Sequence, residues 1–308
     1  MQLAITVGLQ VIIIFILICV GFLLTKAKKI NDSGVKQLTD VLLIAVTPSV
    51  IIQSYQKEFD VKYLEGLMLS VLASIIIHII AMILTYLVFR KNPDKKYRVS
   101  RFASICSNCG FMAIPLLSAA LGTDGVFYGS AYLVVFTLFY WTFGVYICTE
   151  DIKNSLSLKS IFVNPGVIGV IIGLILFFCR IRLPYVVSSA VSFLAGLNTP
   201  LAMLILGAFL VKVDVLNAFK NKQLYLVCFL RLLLIPLLSV FTVSLLKIEP
   251  TIAKTVLICA ACPVATVTSL FASKYELDSV YASEVVAIST ILSIVTIPLI
   301  IIISTYFI

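Results

Sequence analysis

Charged residues are scarce in this 308-residue chain: Asp, Glu, Lys and Arg make up 12% of it, about half the share of a soluble globular protein. With 61% hydrophobic residues and a mean hydropathy of +1.16, that scarcity excludes a secreted domain, a cytosolic enzyme on a single anchor and a nucleic-acid binder. No soluble fold has so much interior. Histidine is nearly absent as well. His78 stands alone, and neither a G-x-S-x-G elbow nor an H-E-x-x-H zinc motif occurs, which argues against an intramembrane hydrolase. A nucleotide-binding loop is missing too, which favours gradient-driven work. Loops are short, there is no low-complexity tract, and the only linker is the polar stretch from Glu150 to Ser160. One membrane domain over 1–308 is therefore expected, with halves at 1–150 and 160–308.

What the chain has is apolar runs, each of ~20 residues and so long enough to cross a ~30 Å hydrocarbon layer as a helix. Spans are expected near 3–25, 34–54, 66–89, 99–121 and 125–148, then 164–180, 184–211, 222–246, 251–273 and 279–305, ten in all. The first has no preceding positive charge and no small-residue cleavage pattern after Lys26, so it is read as retained. Of the 23 Lys and Arg residues, 16 fall in odd-numbered loops and 6 in even ones, and Arg231 lies inside a span. Cytoplasmic loops carry the basic excess, so the expectation is a multi-pass cell-membrane protein with both termini outside.

Self-comparison finds a second copy. At an offset of 153 the chain matches itself without gaps from Ile105 to Trp141, with identities that include Cys106/Cys259, Cys109/Cys262, Tyr128/Tyr281 and Thr137/Thr290. At 152, Thr47-Pro48 pairs with Thr199-Pro200 and Gly21 with Gly173. Duplication of an odd number of spans inverts the second copy. The fold class expected is thus an all-α membrane protein of ten transmembrane helices in two inverted five-helix repeats. Within each repeat the fourth helix is interrupted: Gly110 and Pro115 fall in helix four, and Pro263 follows Cys262 in helix nine. Proline removes an amide and clashes with the preceding turn. Exposed backbone at membrane depth survives only against protein or a wet cavity, so both breaks point to a binding site where half-helix N-termini face an anion.

At these residues a family resemblance becomes plain. Asn108-Cys109-Gly110-Phe111-Met112-Ala113-Ile114-Pro115-Leu116-Leu117 resembles the N-x-x-x-M-G-I-P-L motif of the auxin efflux carrier family. Cys262-Pro263, Phe271-Ala272-Ser273-Lys274-Tyr275, Asp278 and Ser289 through Leu299 look like that family's carboxy-terminal signature. The resemblance implies broken helices four and nine crossing at mid-membrane, a scaffold beside a moving transport unit, and organic anions such as auxin, malate or malonate as cargo. Ala113 stands where the family usually has Gly, and helix nine lacks the Asn that plant members carry near its break, a departure from indole-acetate carriers. The short central loop is of bacterial type.

The expected function is secondary transport of a small mono- or dicarboxylate by alternating access, not enzymatic catalysis. A cation/proton antiporter or a bile-acid-type sodium symporter of similar architecture is the alternative reading, ahead of a channel. Candidate substrate-binding residues are Asn108, Cys109, Gly110, Pro115, Thr137, Arg231, Cys262, Pro263, Thr266 and Thr290. His78 and Glu284 are candidates for coupling, because ionisable groups inside spans are functional suspects. Arg231 is read either as the anion's countercharge or as a cap on neighbouring carbonyls. The pairs Cys106-x-x-Cys109 and Cys259-x-x-Cys262 have a spacing that can bind zinc; they are read as small hydrophobes, with no metal and no cofactor expected. Expected partners are the anion, the bilayer and no nucleic acid, with a coupling proton or sodium ion and a homodimer left open.

Overall fold

A computed structural model describes residues 2–89, 94–149 and 158–308. Arg90, Lys91 and Lys153 of the charge count, and the linker at 150–157, lie outside the described residues. The main elements are α1 (Gln2–Lys26), α2 (Asp32–Ser54), α3 (Val61–Val88), α4 (Lys95–Ile105), α5 (Cys109–Thr149) and α6 (Pro165–Phe178). They continue with α7 (Tyr185–Leu210), α8 (Lys222–Leu245), α9 (Pro250–Ala261), α10 (Val267–Lys274) and α11 (Ser279–Ser304). Seven of these, α1, α2, α3, α5, α7, α8 and α11, are long and apolar enough to cross a membrane, and α6 and α9 are shorter apolar helices. The outward faces are apolar, as in α1, where Leu9, Ile16 and Leu23 are exposed. Such a surface fits lipid.

Helix starts follow from local capping. Asp60 accepts from Lys62 N at 2.9 Å and starts α3 at Val61, ahead of the expected 66. Asp94 does the same for α4, accepting from Lys96 N at 2.8 Å. Each cap satisfies a first-turn amide. Three prolines inside spans, Pro48, Pro115 and Pro236, each stand just after a wide π turn, at 42–46, 109–113 and 230–234. Proline has no N–H for the carbonyl four residues back, and widening the turn by one residue relieves the clash. A fourth π turn, Tyr140–Gly144, has no proline behind it.

Gly122, at φ +63°, bends α5 into two arms at 109–121 and 123–149, a backbone conformation that favours glycine. Gly21 and Gly207 bring α1 and α7 into backbone contact: a Cβ on either would strike the main chain of the other helix. Small residues at a membrane helix interface permit that approach. Loops meet in two sets. Lys57 pairs with Asp124, and Leu183 N donates to Gln56 Oε1 at 2.8 Å. In the other set Lys212 pairs with Asp32 at 2.7 Å, and the Lys96 ammonium lies 4.8 Å from the Tyr281 ring centroid.

Candidate functional site at the crossing of two broken helices

α4 stops at Ile105, and Cys106 takes an extended conformation with φ −86° and ψ 109°. α9 stops at Ala261, and Cys262 is extended with φ −62° and ψ 149°, as a residue before proline must be. The two extended segments cross and pair antiparallel. Asn108 N donates to Pro263 O at 2.7 Å, Ala265 N donates to Cys106 O at 2.9 Å, and Ser107 faces Val264 at the centre. The first break therefore falls at 106–108, ahead of Gly110. Pro115 marks no break: it follows the π turn at 109–113 inside α5, and the widened turn accommodates its missing N–H. The centre joins residues 107 and 264, one helical turn away from the register of the 153-residue self-match.

A cavity of ≈ 380 Å³ opens beside this crossing. Ser107, Asn108, Gly110, Ala265 and Thr266 form its floor, and Phe111, Phe136, Tyr140, Trp141 and Phe271 supply aromatic walls. Among the described residues Lys274 is its one charged lining residue, and no Asp or Glu lines it. Asn108 is 2% exposed, and its Nδ2 has no hydrogen-bond partner among the described residues. A buried amide left without a partner costs about 1–3 kcal/mol, a cost that a ligand acceptor removes. At the start of α10, Thr268 N donates to Ala265 O at 3.0 Å and Ser269 N to Thr266 O at 3.2 Å, while Thr266 and Val267 line the same space, so the positive end of the helix faces it. Three of the four π turns line the cavity, through Leu42 and Leu43, Gly110 and Phe111, and Tyr140 and Trp141.

A family profile described as membrane transport protein matches residues 6–157 and 148–301. The chain belongs to this membrane transport family. A protein named "Uncharacterized transporter" from Methanothermobacter thermautotrophicus is 24% identical over 294 residues, covering 94% of this chain and 95% of that one. The motif resemblance to auxin efflux carriers thus agrees with whole-chain similarity.

Of the residues singled out in the transporter's sequence, Asn108, Gly110, Thr137 and Thr266 come together in the cavity lining. Cys109, Pro115, Cys262 and Pro263 are not among the lining residues; Cys262 and Pro263 shape the break. Thr290 is buried, and its hydroxyl donates to Val286 O at 2.7 Å. His78 is buried away from the lining, with Nδ1 2.7 Å from Ser74 O and its ring stacked 4.9 Å from Phe139. Glu284 is partly exposed on α11, outside the cavity. Arg231 does not reach the lining either. Its Nη1 donates to Ile105 O at 3.0 Å, and its Nη2 donates to Ala260 O, so of its two expected roles the geometry matches carbonyl capping.

Several lining residues of the transporter escaped the sequence reading. Asn164 caps α6, accepting from Gly166 N at 3.0 Å and Val167 N at 3.3 Å, and donates through Nδ2 to Tyr140 Oη at 3.0 Å. Asn164-Pro165 is a helix-start signature that could have marked it. Lys274 entered the loop-charge count and the carboxy-terminal signature but not the candidate site; its ammonium lies 5.3 Å from the Trp141 centroid and 5.4 Å from that of Tyr275, at the end of α10.

Proposed function

We propose that the transporter carries an organic anion with one carboxylate and an apolar body, bound at the crossing and moved by alternating access. The observation that carries this reading is Asn108, a buried donor without a partner among the described residues, in an aromatic-walled cavity whose single charge among those residues is Lys274. An anion there gains the Asn108 amide, the N-terminal end of α10 and the Lys274 field. A dicarboxylate such as malate or malonate would bring a second charge against aromatic walls, so the lining favours a monocarboxylate. A cation antiporter or sodium symporter calls for an acidic residue or a ring of oxygen ligands beside the breaks, and among the described residues no acid lines this cavity.

In this reading the chain crosses the membrane ten times. α4 with the first arm of α5 is one pass, the second arm is another, and α9 with α10 is the ninth. Two inverted five-helix repeats at 1–150 and 160–308 are supported by two interrupted helices at nearly corresponding places, α4 ending at Ile105 and α9 at Ala261. The two separate sets of touching loops are of even and odd number, as alternation requires. Lys274 belongs to the odd set, so the cavity faces the cytoplasm if both termini are outside.

The test is uptake into proteoliposomes of labelled phenylacetate and of labelled malonate, under imposed proton and sodium gradients. Saturable phenylacetate uptake, competed poorly by malonate, is expected. Saturable malonate uptake without phenylacetate uptake would overturn the substrate class, and uptake of neither would overturn the anion reading.

A further inference from the structure

Two broken helices that cross bring four helix ends together. Cys109 of α5 and Val267 of α10 begin helices, whereas Ile105 of α4 and Ala261 of α9 end them. N-terminal ends carry roughly +0.5 of an elementary charge and C-terminal ends roughly −0.5. Left alone, the four ends nearly cancel, and the crossing would have little preference between an anion and a cation. The last carbonyls of α4 and α9 would also lack intrahelical donors.

Arg231 changes that balance. It lies in the π turn of α8 at 230–234 and is 1% exposed. Its Nη1 donates to Ile105 O at 3.0 Å and reaches Ser104 O at 3.5 Å, and its Nη2 donates to Ala260 O. One guanidinium thus caps the C-terminal ends of both broken helices. Among the described residues no carboxylate pairs with it; its hydrogen-bond partners are main-chain carbonyls. A full positive charge set against two half-negative ends leaves the two N-terminal ends uncancelled.

We infer that Arg231 is the positioning residue that gives the crossing its charge selectivity, by neutralising the C-terminal ends of α4 and α9 while never touching the cargo. This deepens the anion reading above and rests on it for its transport consequence, although the electrostatic effect exists without any cargo. The fork of the guanidinium is essential, because two nitrogens reach two helices at once. A lysine has a compact ammonium and holds one end at a time.

The test reads potential directly, using the full chain in detergent with its native cysteines. Thr137 lines the cavity on the second arm of α5 and belongs to none of the four helix ends. In a Thr137→Cys protein, the rates of reaction with the anionic sulfonatoethyl and the cationic trimethylammonioethyl methanethiosulfonates are measured by mass spectrometry of the peptide bearing residue 137. Their ratio is compared with that of a free thiol in solution. With Arg231 present the anionic reagent should be favoured over that reference. Arg231→Gln and Arg231→Met should lower the ratio by about tenfold, the equivalent of ~1.4 kcal/mol, and Arg231→Lys by less. A purely structural residue would leave the ratio unchanged in variants that remain monodisperse. An unchanged ratio in any folded variant, or a free-thiol ratio in the Arg231 protein, overturns the inference. If the neutral variants do not fold, the Lys variant decides: a ratio below that of the Arg231 protein supports the inference. Failure of phenylacetate uptake with the ratio intact would sink the cargo assignment and leave this inference standing.

Discussion

Lys57 and Asp124 form an ion pair that joins the loop after α2 to the start of the second arm of α5. The Lys57 ammonium also sits 4.5 Å from the Tyr63 ring centroid and 4.5 Å from that of Phe127. Behind it the Tyr55 and Ser130 hydroxyls share a buried hydrogen bond of 2.8 Å, and the Tyr55 and Phe127 rings pack at 4.6 Å. For the alternating access proposed above, we expect this aromatic cluster to serve as the gate on the face of the even loops.

The gate has a pH signature. Burial holds the Lys57 pKa below its ordinary 10.5, and Asp124 offsets part of that drop. Between the lowered value and 10.5 the unfolded chain keeps a proton that the folded protein has released. Stability contributed by this group therefore rises with pH through that window. Thermal unfolding followed from pH 8 upward should show this rise in the native protein and a smaller one in Lys57→Met; identical profiles would remove Lys57 from the account. Asp124→Asn, which takes away the group that raises the lysine's pKa, should begin the rise at lower pH.

Asn108→Ala should raise the Km for phenylacetate by about tenfold, the loss of one hydrogen bond to a charged acceptor. Its melting temperature should stay close to that of the parent, since the missing Nδ2 has no protein partner to lose. A parent-like Km would place the cargo elsewhere.

Lys274→Gln should weaken uptake most at low ionic strength and least at high, because an exposed cation at a cavity mouth acts through a screened field. Lys274→Arg should restore most of the rate. Salt-independent loss in the Gln variant would indicate a packing defect against Trp141 instead.

Orientation is open to chemical labelling. Cysteines at Gln2 and Ile308 should react with a membrane-impermeant maleimide added to intact cells, and one at Lys29 should react only after permeabilisation. Labelling of Lys29→Cys alone would invert the topology.

The two breaks were unequally legible. Pro263 marks its own break, because a residue before proline is driven out of the helical region, and Cys262 is extended as that rule demands. The break at Cys106 carries no such mark: it is set by the partner strand, through the bond from Ala265 N to Cys106 O, and Pro115 drew attention too far along the chain. Asn108 was visible as a polar residue in an apolar run. Arg231 was visible too, but its partners are main-chain carbonyls of Ile105 and Ala260, which no side-chain pattern records. Lys274 was hidden for a different reason, since a basic residue at a helix end already has an explanation in topology.

The π turns carry a mechanical consequence. Each holds one residue more than an α-helical turn can seat, so side chains beyond it are rotated by about 100° relative to those before it. A bulge of that kind migrates along a helix by exchanging hydrogen-bond partners one at a time, and each step screws the residues it passes without opening the helix ends. With such slack at 42–46, 109–113 and 140–144 around the cavity, and at 230–234 beneath Arg231, the walls could turn like threaded rods while the crossed strands between them keep their bonds.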